Sequence, residues 1–275
     1  MKKMPGGYFS IICAVLSAVL TGTVLRVSGK GFGQQTTRQN GNMDYLVPLI
    51  EPETMVALNP TADQESSIKV VIANHRADRG MLGKKVQEAR DELREEVMRP
   101  RFDQGMVDQR AQALIEASSA ATAAEFEVYA LARGYLTPEQ IKTCNSLQDR
   151  IRSNQARHIP ELPLSLVGEP VLKSIRFTKE QDEERIALLR YRQEENSVAH
   201  QQLFRSRAAL ERAILSDDYD ESLVSGLTQE YQVAQASLIK LQVTFFVELR
   251  RIMTPRQIDR FMKLSQNERG KFSVP

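Results

Sequence analysis

The chain has 275 residues, 41% of them hydrophobic and 26% charged, which fits a folded body of one large domain or two ordinary ones and excludes a disordered chain. The net charge of +2 gives no general pull toward nucleic acid. There is no Trp, and 14 Gly and 11 Pro leave long stretches without a breaker, which favours helices.

Lys2 and Lys3 precede the uncharged run 8–25, "YFSIICAVLSAVLTGTVL", which Arg26 and Lys30 close. Positive residues before an apolar core make an export signal, and the run is just long enough to span a bilayer. With no clear small-residue cleavage site, the reading over 1–26 favours a signal anchor, with a cleaved signal peptide as the alternative. Lys2 and Lys3 then stay on the cytoplasmic side and the body lies in the periplasm. Residues 27–60, with "SGKGFGQQTTRQNGN" and Pro48, Pro52 and Pro60, read as a flexible tether.

Helical patterning begins after that tether. Leu82, Val86, Ala89, Leu93 and Val97 fall on one helix face. Across "RPRFDQG" a second stripe follows, with Met106, Leu114, Ala117, Ala121, Val128 and Leu131. The Ala-rich run 116–128 lets helices approach closely, and it reads as core in preference to an assembly surface. Residues 158–176 open with "HIPELPLSLVGEP", where three prolines and a glycine forbid a long helix, so they read as a linker. Beyond it, Leu189, Asn196, Ala199, Leu203, Leu210 and Ile214 form one stripe. Leu223, Leu227, Tyr231, Leu238, Phe245 and Leu249 form another, with the polar turn "SDDYDES" at 216–222 between them. Two long helices and a short turn make an antiparallel hairpin.

"LTPEQI" at 136–141 holds every part of a helix start. Thr137 is the N-cap, Gln140 completes a capping box at the third helical position, and Pro138 occupies the first, where its missing N–H costs nothing. Leu136 and Ile141 are placed to staple the entry. "MTPRQI" repeats the set with Thr254, Pro255 and Gln257, and the same Thr-x-x-Gln frame occurs at Thr61/Gln64 and Thr178/Gln181. Thr61 to Thr178 is 117 residues, as is Leu136 to Met253 and Phe102 to Tyr219. Thr61 to Thr137 and Thr178 to Thr254 are both 76. This spacing reads as a tandem duplication, with repeats at 61–157 and 177–268 and a tail at 269–275. The ten residues Thr61, Gln64, Thr137, Pro138, Gln140, Thr178, Gln181, Thr254, Pro255 and Gln257 are helix caps, not catalytic groups.

Four such motifs around long helices and polar turns, behind an export signal, resemble the Spy/CpxP family of LTxxQ-motif envelope proteins, which includes ZraP and CnrX-type metal-resistance sensors. The resemblance is clearest over 177–265 and weaker over 60–150. It implies an all-α, hairpin-based fold of two tandem repeats without a catalytic site. The function it implies is ATP-independent chaperone work on unfolded envelope clients. The alternative is a membrane-tethered sensor or modulator of envelope-stress or metal-resistance signalling, held by 8–25 at the inner membrane beside a signalling partner. A third reading is a structural spacer. Repeated hairpins imply either a homodimer or an intramolecular pseudo-dimer.

The metal-sensing members use histidines one helical turn apart. Here His75, His158 and His200 share no such spacing, so no metal ligand is nominated and no cofactor is expected. No nucleophile, phosphate-loop or dinucleotide motif is present, which argues against an enzyme. Cys13 and Cys144 form no CxxC site, and Cys144 reads as a small buried hydrophobe.

Overall fold

The computed structural model describes residues 52–155, 172 and 174–272. The anchor at 8–25, the tether to residue 51, most of the linker with His158, and the end of the tail lie outside these residues. Seven helices are described: α1 Pro52–Leu58, α2 Ala62–Val97, α3 Gln104–Arg133, α4 Pro138–Gln155, α5 Lys179–Ile214, α6 Glu221–Ile252 and α7 Pro255–Phe272. The fold is all-α, with no strand among the described residues. Among them, no helix is long and apolar enough to cross a membrane.

Each long helix starts on a side chain that satisfies its first N–H groups. Thr61 and Thr178 cap α2 and α5 with complete capping boxes. Asp103 and Asp220 cap α3 and α6, with carboxylates that also suit the positive end of the helix dipole. The turns between paired helices are short, so α2 folds back on α3 and α5 on α6. Helix α2 runs unbroken through Gly80 and Gly83, where an added Cβ would meet nothing.

Two differences from the sequence reading stand out. Residues 52–58 of the expected tether form α1, and Met55 and Leu58 are buried in the core. The end of the expected linker is also anchored, since Leu172 and Ile175 are buried. Both segments use a few apolar residues beside prolines to plug an apolar gap, a tertiary role that composition does not reveal.

The two hairpins pack head to tail. One core joins the base of the first hairpin (Ile68, Ile72, Phe126) to the tip of the second (Leu210, Ile214, Val224). The other joins the tip of the first (Leu93, Val97, Val107) to the base of the second (Phe246, Leu249, Phe261). Each large side chain buried this way contributes about 1.5–3 kcal/mol. Helices α3 and α6 meet at the seam through the Ala-rich run. There Thr122 Oγ1 donates to Gln235 Oε1 at 3.3 Å and Gln232 Nε2 to the Ser119 carbonyl at 3.0 Å.

Candidate functional site

The four Thr-x-x-Gln motifs meet in pairs. Gln64 Oε1 accepts from the Thr61 N–H at 3.0 Å, and Gln140 Oε1 accepts from the Thr137 N–H at 2.9 Å. The two amides then exchange hydrogen bonds, Gln64 Nε2 to Gln140 Oε1 at 2.9 Å and Gln140 Nε2 to Gln64 Oε1 at 3.1 Å. Their remaining N–H groups reach the carbonyls of Tyr135 (2.8 Å) and Leu58 (3.2 Å). Every hydrogen-bonding site of both amides is therefore used.

The second repeat builds the same clasp. Gln181 Nε2 donates to Gln257 Oε1 at 2.9 Å and Gln257 Nε2 to Gln181 Oε1 at 2.8 Å, with further bonds to the carbonyls of Ile252 and Arg176. Thr178 and Thr254 present their N–H groups to Gln181 and Gln257 at 3.0 and 2.8 Å. Pro138 and Pro255 are the first residues of α4 and α7. Two residues before the Thr61 and Thr178 caps the backbone turns left-handed, at Asn59 (φ 43°) and Arg176 (φ 58°). That turn brings the chain under the clasp, and it favours Asn over Arg.

A second set of paired residues joins the hairpins. Arg133, at the end of α3, donates to the Ser216 carbonyl and lies 5.0 Å over the Tyr219 ring. Arg250, 117 residues later, donates to the Arg99 carbonyl at 2.9 Å and lies 4.9 Å over Phe102. Each arginine thus holds the turn of the other hairpin, by one charge-assisted hydrogen bond and one cation–π contact. The aromatic members at 102 and 219 are legible in the sequence beside the polar turns; the arginines have the same 117-residue offset but sit within helices, where no local pattern marks them.

The repeats differ inside. Tyr129 is buried with its hydroxyl bonded by Gln148 and Cys144 nearby, while the residues at the same offset are Phe246 and Phe261, whose rings lie 5.6 Å apart. Burial, then Glu211 and Cys144, hold the Tyr129 phenol well above its ordinary pKa. Burial also pushes the Cys144 thiol up to about 12, so it stays protonated and inert. Arg207 forms a 2.7 Å ion pair with Glu211 in the same region.

His75 is half-buried on α2, and His200 lies on α5 with its pKa lowered by burial. His200 Nε2 and Asn196 Oδ1, one turn apart, are buried without a hydrogen-bond partner. Among the described residues, no group of three His, Cys, Asp or Glu is placed to hold a metal ion.

Two surface features remain. Large apolar side chains are exposed along the outer helices, with Val70 and Met81 on α2 at 54% and 52%, and Tyr191 and Val198 on α5 at 71% and 59%. Met81 and Val198 are again 117 residues apart. A groove of about 480 Å³ lies between the first half of α3 and the second half of α6, over Ala111, Ile115, Val243 and Val247.

No curated protein and no solved structure matches the chain. The family model described as LTXXQ motif family protein matches residues 52–148, which take in α1, the first hairpin and the first clasp. The matched segment holds Thr61, Gln64, Thr137 and Gln140, the residues of that clasp, and so residues 52–148 are similar to the LTXXQ motif family.

Proposed function

We propose that the chain is a non-enzymatic envelope protein of Spy/CpxP type, which binds unfolded or stress-damaged protein clients without ATP. The observation that carries this reading is the apolar row on the outer faces of α2 and α5. Single exposed apolar residues are ordinary on a protein surface. Here Val70 with Met81 and Tyr191 with Val198 fall on the face of each helix turned from its core stripe, among charges such as Lys84 and Glu194. A mixed surface of flexible apolar and charged groups suits weak, adaptable contacts with unfolded chains. Such binding needs no nucleotide, cofactor or catalytic group.

The purified protein should suppress heat aggregation of an unrelated protein at near-equimolar ratio. Replacing Val70, Met81, Tyr191 and Val198 by Ser should weaken suppression by about fivefold or more. No suppression by the wild-type chain at excess overturns the reading.

A second reading rests on residues 8–25, which would tether the body to the inner membrane at the periplasmic side, where a free chaperone gains little. On that reading the partner is a membrane signalling protein. Crosslinking in intact cells separates the two: one defined membrane partner favours the modulator, and a spread of misfolded proteins favours the chaperone.

A further inference from the structure

The groove between α3 and α6 lies beside a crossing at which the two halves of the molecule differ. Where the base of the first hairpin crosses α6, Phe126 and Tyr231 fill the space with rings 5.5 Å apart, edge to face. At the other crossing the residues 117 positions away are Val243 and Leu114. Their side chains are smaller, and Val243 forms part of the groove floor.

The rim differs in the same way. Lys240 and Arg251 stand at either end of the floor on α6, where the first repeat has Ala123 and Gly134. Eleven residues of helix separate the two cations by about 16 Å along one face. Both are exposed, and neither forms an ion pair among the described residues. Of the acidic members of the lining, Glu248 accepts two of the three bonds of Arg192, at 2.6 and 3.1 Å, while Asp108 on the opposite wall accepts from the neutral Gln104 amide at 2.8 Å and keeps its charge.

An apolar floor with a free cation at each end fits an apolar segment with an anion at each end. An extended peptide advances about 3.3 Å per residue with alternate side chains on one face. Acidic residues four apart therefore lie about 13 Å apart on the same side, within reach of Lys240 and Arg251. The apolar residue midway between them faces Val243 and Val247. Building on the client-binding reading, we infer that this groove takes short extended client segments in which an apolar run is flanked by Asp or Glu.

The test uses the full chain and two dye-labelled peptides, Glu-Val-Leu-Val-Glu and Lys-Val-Leu-Val-Lys, with binding read by fluorescence anisotropy. The acidic peptide should bind about fivefold tighter or more at low salt, and the difference should shrink as salt rises. Val243→Phe, which copies the other crossing, should fill the groove and abolish binding of both peptides. The exposed pair Lys240→Glu and Arg251→Glu should invert the preference. Equal affinities, or a preference untouched by these variants, overturn the inference. Equal affinities with intact aggregation suppression sink the groove alone. Lost suppression with an intact acidic preference sinks the chaperone reading and leaves the groove as a peptide site. Sedimentation showing a dimer that Val243→Phe dissolves assigns the groove to a second copy, which also overturns it.

Discussion

Gln140 shows what the repeated motif does at the scale of one residue. Its carbonyl oxygen caps Thr137 and accepts from Gln64, while its amide nitrogen serves Gln64 and the Leu58 carbonyl. Gln140→Ala therefore strands the Thr137 N–H, the Leu58 carbonyl and half of the Gln64 amide together. It should cost about 2–3 kcal/mol in urea unfolding, against about 1 kcal/mol for Thr137→Ala, which removes one cap. Equal losses would show that the amide pair contributes nothing beyond the cap. The capping half of this was legible, because a capping box is written in four consecutive residues. The amide pairing joins residues 76 apart, and no local pattern says which two helix starts come together.

At the scale of elements, the hairpin turns are held by helices of the opposite repeat. Arg250 reaches the Arg99 carbonyl and Phe102, and Arg133 reaches Ser216 and Tyr219. Arg250→Ala should destabilise the protein by about 1–2 kcal/mol, from one charge-assisted hydrogen bond and one cation–π contact. Hydrogen exchange should quicken in the turn at 98–103 and stay unchanged at 215–220, with the reverse for Arg133→Ala. Exchange that rises equally in both turns would mean that the arginines act through global stability instead. Helix periodicity made all four long helices legible, because Leu93, Val97, Leu210 and Ile214 sit at three- and four-residue steps. It missed α1, since seven residues between prolines carry too few periods, and Met55 and Leu58 gain their meaning only from the core they plug.

At the scale of the molecule, neither hairpin owns a complete core. The tip of the second packs on the base of the first, and its base packs on the first hairpin's tip. The second repeat alone, residues 177–268, would expose Leu210, Ile214, Phe246 and Leu249. A second copy can cover them, because Arg250 of one copy meets Ser216 and Tyr219 of the other much as Arg133 does in the whole chain. The isolated repeat should therefore dimerise, whereas the whole chain meets these contacts within itself. The pairing will be imperfect at the seam, where Gln235 would face Ile239 in place of Thr122 and lose its hydroxyl donor. Each dimer contains the arginine lock twice, so Arg250→Ala in the fragment doubles its cost and should weaken the dimer about a hundredfold. Sedimentation velocity over a concentration series reads both results. A fragment that is monomeric and cooperatively folded would show that one hairpin closes its own core, and the head-to-tail pairing would then be a contact between two independent domains.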